Sequence, residues 1–197
     1  AALIAIPYSY IAPQSYVATN IQGTLNILEA SKKYKIQKII HTSTSECYGS
    51  AIYTPIDEKH PLQGQSPYSA TKIGSDKIAE SYFLSYDLPV TIIRPFNTYG
   101  PRQSARAIIP TILSQILSGY DTIKLGSLDT KRDFNYIDDT IQAFILASVS
   151  KKAIGKTIHF GSGKAISIGQ LVDKCSKICN KNIKVALDPI RLRPHKS

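Results

Sequence analysis

The chain has 197 residues, 43% of them hydrophobic, enough for one domain or about one and a half with a buried core. Its net charge of +10 invites a polyanionic partner, but the lysines (Lys32, Lys33, Lys35, Lys38, Lys151, Lys152, Lys181) are scattered rather than gathered on one aromatic-studded face, which sets nucleic acid aside. No run of about 18 apolar residues occurs, and the apolar start at Ala1 lacks a basic flank, so neither a membrane span nor a signal peptide is expected.

Pro7 to Ser15 reads as a loop punctuated by Pro7 and Pro13. From about Gln14 to Lys33 the apolar positions Val17, Ile21, Leu25, Ile27, Leu28 and Ala30 predict a long helix with Asn20 inside it. Lys38-Ile39-Ile40-His41 is a short apolar run and predicts a buried parallel strand over 38–43. Its end leaves the hydroxyls of Thr42, Ser43, Thr44 and Ser45 and the carboxylate of Glu46 at a C-terminal edge, where open α/β sheets bind ligands. A loop from Tyr48 to Ser66, with Pro55, Pro61 and Gly64, is long enough to suggest function.

A helix is predicted over 68–86, with Ile73, Ile78, Ala79, Tyr82 and Phe83 at roughly helical spacing. Tyr68 and Lys72, four apart, share one of its faces. An ammonium beside a phenol favours phenolate and lowers its pKa from about 10. Tyr68 would then be a base, Lys72 its electrostatic support, and Thr44 the hydroxyl that positions an alcohol being oxidised. Alone, the pair equally reads as a chance Tyr and Lys on a surface helix.

Pro89 to Arg94 is the next buried strand, ending at Pro95-Phe96-Asn97. A helix over 106–118 (Ile108, Ile109, Ile112, Leu113, Ile116, Leu117) and a short strand at Ile123–Gly126 follow. Arg132 has the fork that suits phosphate. Asp138 and Asp139 look like the first-turn acids of a helix to about Val149. A strand over 156–160 precedes Gly161-Ser162-Gly163, which lacks the third glycine of a dinucleotide loop and reads as a turn. The last helix spans about 168–180. Cys47, Cys175 and Cys179 form no metal pattern, and Cys175 and Cys179 sit as buried apolar positions of that helix. His41, His60, His159 and His195 are dispersed, so no metal is expected, and a reduced, cytoplasmic protein is.

Four segments in order carry a resemblance: Thr-Ser-Thr-Ser-Glu-Cys-Tyr-Gly from Thr42, Ser-Pro-Tyr-Ser-Ala-Thr-Lys from Ser66, Ile-Ile-Arg-Pro-Phe-Asn-Thr-Tyr-Gly-Pro from Ile92, and Arg-Asp-Phe-Asn-Tyr-Ile-Asp-Asp from Arg132. Together they resemble the extended short-chain dehydrogenase/reductase family, and within it the nucleotide-sugar epimerases and 4,6-dehydratases. The nearest likeness is to GDP- or UDP-N-acetylglucosamine 4,6-dehydratases of the legionaminic acid type.

The resemblance implies an α/β fold, a Rossmann-like doubly wound parallel sheet, with a small C-terminal α/β substrate-binding part. Residues 1–100 would be the C-terminal portion of the NAD-binding domain. Residues 101–197 would mainly bind substrate, with one strand at about 156–160 returning to the sheet. No Gly-x-x-Gly-x-x-Gly and no ribose-reading acid occur, so a fragment lacking the first strands is expected, with NAD the cofactor and NADP left open. Ala1, Ala2, Asn20, Thr42, Ser43, Tyr68, Lys72, Pro95 and Phe96 would line the cofactor. Asn20, in an Asn-x-x-Gly-Thr pattern, would support the catalytic region. Thr44, Asn97, Arg132 and Arg193 would hold a nucleotide-diphosphate sugar, and the helices at 14–33 and 68–86 would form a homodimer.

Within that family Thr44, Tyr68 and Lys72 would oxidise the sugar at C4. A dehydratase also needs a base for the C5 proton and an acid for the C6 hydroxyl. Glu46 is the candidate base, and the acid step falls to Ser45 with water or to Glu46 itself. Glu46 lies two residues after Thr44, on the same side if the chain stays extended. The alternatives are a C4 epimerase, in which Glu46 is a loop carboxylate, and a non-catalytic nucleotide-binding module.

Overall fold

The computed structural model describes residues 2–192. In chain order these form helices α1 (Ile6–Ile11) and α2 (Pro13–Tyr16), a π-helical stretch Val17–Gln22, α3 (Gly23–Lys33), strand β1 (Ile39–Thr42) and a 3-10 turn Ser45–Tyr48. Next come α4 (Pro67–Tyr86), β2 (Val90–Pro95), β3 (Asn97–Tyr99), α5 (Ile108–Leu117), β4 (Thr122–Leu125) and β5 (Lys131–Tyr136). The rest are α6 (Ile137–Val149), β6 (Thr157–Phe160), β7 (Ala165–Ser167), α7 (Ile168–Ile178) and β8 (Lys184–Leu187). No helix among the described residues is long and apolar enough to cross a membrane.

The chain folds as two compact units. One holds the residues up to Phe96 together with Asp138–Phe160, and the other holds Asn97–Ile137 and the described residues from Gly161. The segment returning to the first unit thus begins at Asp138 and brings α6 as well as β6.

In the first unit β1, β2 and β6 form a parallel sheet with β2 in the middle. Val90 to Arg94 are all buried, as a central parallel strand requires. Leu28 of α3 and Ala79 and Tyr82 of α4 pack with Leu88, Val90 and Ile92 into its core. The Thr91 hydroxyl donates to the Ala153 carbonyl at 2.8 Å and so ties the segment before β6 to the sheet.

The loop expected over Pro7–Ser15 is instead the helical pair α1 and α2. Each proline stands in a first helical turn, where its missing N–H is not needed and its fixed φ suits the helix. The helix expected over 14–33 is continuous but widens to π geometry at Val17–Gln22, around Asn20. Helix α4 starts where Ser66 and Ser69 form a capping box, with Pro67 in the first turn, and ends at Asp87 in the left-handed region.

The second unit has its own core, in which Ile112, Ile116, Ile123, Leu125, Leu171, Val172 and Cys175 are buried together. Strands β3, β5 and β7 form one sheet, and β4 pairs with β8 in parallel. The Gly161-Ser162-Gly163 segment is irregular, with a bend at Gly163, where φ is +72. The Asp133 carboxylate accepts from the Ser162 and Gly163 amides at 3.0 and 2.9 Å and from the Ser162 hydroxyl at 2.6 Å.

Candidate active site

The site is built where β1 ends against one face of α4. The Ser43 amide still donates to Ile93 O of β2 at 2.7 Å. Thr44 is the last extended residue, and its side-chain oxygen accepts from the Glu46 amide at 3.2 Å. That cap turns the chain into the 3-10 segment Ser45–Tyr48, so strand alternation does not carry Glu46 past Thr44 as expected. Gly49 closes the turn at φ +65, and a Cβ there would stand 2.9 Å from the Gln63 carbonyl oxygen.

Tyr68, Lys72 and Asp76 follow at four-residue steps on α4 and are all buried. Each meets one residue of the strand end. The Tyr68 phenol hydrogen-bonds the Thr44 side chain. Lys72 Nζ donates to the Thr42 carbonyl oxygen at 2.6 Å, and the Ser43 hydroxyl donates to Asp76 Oδ2 at 2.7 Å. Burial pushes the Tyr68 phenol up to about 12; the bond to Thr44 pulls it down, and Cys47, Glu46 and Tyr16 each push it up further. The net shift is thus upward, against the lowering expected from Lys72, and burial is its largest cause. Lys72 itself is pulled down by burial and held up by Asp76 and Cys47.

Asp76 anchors a buried polar network that the sequence reading missed. Its only trace there was one more four-residue step, from Lys72 to Asp76. Arg94 Nε and Nη2 both donate to Asp76 Oδ2 at 3.0 Å, and His41 Nε2 lies 3.2 Å from Oδ1. Burial alone would raise Asp76, but the bond from His41, the Arg94 charge and the Ser43 hydroxyl outweigh it and hold the carboxyl below its usual range. Arg94 Nη1 also donates to the Tyr48 hydroxyl at 3.3 Å. Burial and the Asp76 charge push the Cys47 thiol up to about 11, so it is no nucleophile at neutral pH.

Two further residues frame Tyr68. Tyr16 is fully buried, donates to Ala5 O at 2.6 Å and sets its ring edge-on to Tyr68 at 6.3 Å. The Asn20 amide group donates to Leu3 O and Thr71 Oγ1, both at 3.1 Å, and its oxygen accepts from the Leu3 amide at 2.9 Å. Asn20 thereby joins the start of the chain to α4 beside Lys72.

Of the residues expected at a cofactor, Thr42 and Ala2 are exposed, while the Ser43 hydroxyl is turned inward to Asp76. Pro95 pairs with Phe160 at the end of β2, and the Phe96 ring meets His159 edge-on at 5.4 Å. Ala1 and Arg193 lie outside the described residues. Asn97 and Arg132 belong to the second unit, where Asn97 opens β3 opposite Phe134. Arg132, on β5 opposite Ile166, donates from Nη1 to Lys131 O at 2.9 Å. Among the described residues no three His, Cys, Asp or Glu side chains are grouped to hold a metal. The half-buried Thr44 hydroxyl at the strand end, a buried phenol and a buried ammonium can together hold an alcohol and move its proton.

Residues 1–193 match the family model described as GDP-mannose 4,6 dehydratase. A dTDP-glucose 4,6-dehydratase of Actinoplanes sp. is 36% identical over 155 residues, 79% of this chain and 48% of that protein. The chain spans about half the length of the curated relatives it matches. A UDP-N-acetylglucosamine 4-epimerase from Methanobrevibacter ruminantium, solved with UDP-N-acetylmuramic acid, superposes with a TM-score of 0.89 at 32% identity, covering 98% of this chain and 63% of that one. DesIV, a dTDP-glucose 4,6-dehydratase from Streptomyces venezuelae solved with NAD and TYD bound, gives 0.88 at 28% identity, covering 98% and 60%. The Rossmann-type α/β fold expected from the sequence is the fold of this chain.

Proposed function

The chain belongs to the GDP-mannose 4,6 dehydratase family, the nucleotide-sugar dehydratases and epimerases of the extended short-chain dehydrogenases/reductases, and from that premise we propose that it carries the catalytic residues of an NAD-dependent nucleotide-sugar 4,6-dehydratase. The reaction oxidises the hexose at C4, eliminates water across C5 and C6 and returns hydride to C6, giving a 4-keto-6-deoxy sugar.

The observation that carries this choice is the position of Glu46. The Thr44 side chain accepts from the Glu46 amide at 3.2 Å, which holds Glu46 in the turn next to the hydroxyl that meets Tyr68. Oxidation at C4 acidifies the C5 proton, and a carboxylate beside the oxidising pair is a workable base for it. Tyr68 takes the proton of the C4 hydroxyl while the Thr44 hydroxyl holds that oxygen. Ser45, next along the turn, serves the C6 oxygen through water.

The donor set suits a pyridine dinucleotide: Thr42 is exposed at the end of β1, with Lys72 fixed behind it and Pro95 and Phe96 at the end of β2. Those residues, with Ser43, Ala1 and Ala2, would hold NAD, and Asn20 would brace them. NAD, when bound, supplies the hydride acceptor and a positive charge that favours the Tyr68 phenolate.

The substrate class proposed is a GDP- or UDP-linked N-acetylhexosamine of the legionaminic type, with Asn97, Arg132 and Arg193 on its diphosphate. Residues up to Phe96 with Asp138–Phe160 serve the cofactor and the other unit serves the sugar nucleotide. A homodimer through the helices at 14–33 and 68–86 and a cytoplasmic site of action complete the proposal. The similarity to a UDP-N-acetylglucosamine 4-epimerase supports C4 epimerisation as the second reading. Full-length protein incubated with NAD and a panel of nucleotide-hexoses, followed by mass spectrometry, decides between them. A dehydratase releases one water per sugar, and an epimerase leaves the mass unchanged.

A further inference from the structure

Asp76 is a carboxylate that the chemistry above leaves without a task. It is 1% exposed, yet it sits one helical turn from Lys72 and two from Tyr68. Every group that faces it belongs to the frame of the site. From β1 and its end come His41 Nε2 at 3.2 Å and the Ser43 hydroxyl at 2.7 Å. Arg94 of β2 contributes two N–H groups at 3.0 Å, and Cys47 Sγ of the 3-10 turn lies 4.0 Å away. On its own helix the charged neighbour is Lys72. Lys72 in turn is faced by Asp76 and Cys47 and donates to Thr42 O.

This arrangement pairs one buried carboxylate with the buried Arg94 guanidinium and sets it one helical turn from the buried Lys72 ammonium. A buried charge stripped of its partner is strongly unfavourable. Arginine does not release its proton at ordinary pH, whereas a buried lysine does. Without the Asp76 charge, Lys72 is the cation that would yield. Meanwhile Ser43 stands between Thr42, which Lys72 holds, and Thr44, which meets Tyr68. Its hydroxyl is the only side-chain link from that strand end to Asp76 among the described residues.

We propose that Asp76 is a positioning residue of this site: anchored by Arg94 of β2, it fixes the Thr42–Ser43–Thr44 strand end through Ser43, and its carboxylate backs the Lys72 ammonium one helical turn away. The proposal rests on the reading of Tyr68 and Lys72 as the oxidising pair, but its test does not need turnover.

The test uses full-length protein with 15N-labelled lysine, in which the Lys72 Nζ resonance is followed by NMR against pH and assigned by its loss in Lys72→Arg. Asp76→Asn keeps the size and the acceptor for Ser43 while removing the charge. The expected result is a Lys72 titration midpoint lower by about one pH unit or more, a roughly tenfold acidification. An unchanged midpoint overturns the electrostatic half. Ser43→Ala cuts only the link to the strand end and covers the case in which Asp76→Asn does not fold. Hydrogen exchange of the Glu46 amide, which Thr44 caps, should then rise about tenfold while the core of β2 keeps its protection. Exchange that is unchanged, or that rises everywhere alike, overturns the positioning half. Failure of the dehydratase reading would show separately, as no water lost from any nucleotide-hexose by the unaltered enzyme.

Discussion

Lys72 Nζ lies 2.6 Å from the carbonyl oxygen of Thr42, a residue 30 positions earlier in the chain. The bond crosses from the middle of α4 to the last residue of β1 and is made by a side chain that is 5% exposed. It fixes the distance between the helix that carries Tyr68 and the edge that carries Thr44. Burial of that same helix face is the largest effect on the phenol and pushes it up to about 12.

Tyr68 is accordingly protonated at neutral pH in the unliganded chain, and its hydroxyl is needed only when an alcohol is present to exchange a proton. Tyr68→Phe in the full-length protein should abolish reduction of bound NAD by nucleotide-hexose, with NAD affinity changed little. NADH absorbance after mixing measures the first and fluorescence titration the second. Near-normal reduction would remove Tyr68 from the mechanism.

Glu46→Gln keeps size and hydrogen bonding but cannot accept a proton. Oxidation at C4 should persist, and a 4-keto-hexose with its C6 hydroxyl intact should accumulate. Elimination should fall by about 10²–10⁴-fold, the scale of losing a general base. In deuterium oxide the unaltered enzyme should place deuterium at C5 and the variant should not. A C4 epimerase shows no C5 exchange in either protein.

Arg132→Ala should weaken binding of nucleotide sugars by about 1.5–3 kcal/mol, the scale of a charge-assisted contact. Calorimetry with UDP-N-acetylglucosamine and GDP-mannose measures the loss. Unchanged affinity for both would leave Arg132 with a structural task on β5.

Acid stability should report Asp76. Although burial opposes ionisation, His41, Arg94 and Ser43 hold its carboxyl below the unfolded value of about 3.9. The folded chain therefore binds fewer protons there than the unfolded chain. The stabilisation is complete above that unfolded value and is lost as pH falls through the lower folded one. Denaturant midpoints measured from pH 6 down to about pH 3 should fall less steeply in Asp76→Asn than in the unaltered protein. Parallel curves would mean that other carboxylates set the acid transition.

Much of the frame was legible in the chain itself. The apolar runs at 38–43 and 89–94 announced strands because a central parallel strand has no solvent face to alternate with. Tyr68 and Lys72 could be paired from spacing alone, because four residues on a helix bring side chains to one face. The prolines at Pro7 and Pro13 misled, because the same residue that breaks a helix interior is welcome in its first turn.

Tertiary structure alone decided the rest. Asp76, Arg94, Ser43 and His41 are on a helix, a strand, a strand end and another strand, so no local pattern could assemble them. Glu46 owes its place to a cap made by Thr44, where strand alternation had suggested a simple extension. The direction of the Tyr68 shift depends on burial and on its neighbours Thr44, Cys47 and Glu46, which are set only when α4 packs on β1. Local spacing determines which residues share a face of one element. What those residues meet, and which charges then survive burial, is decided by packing between elements far apart in the chain.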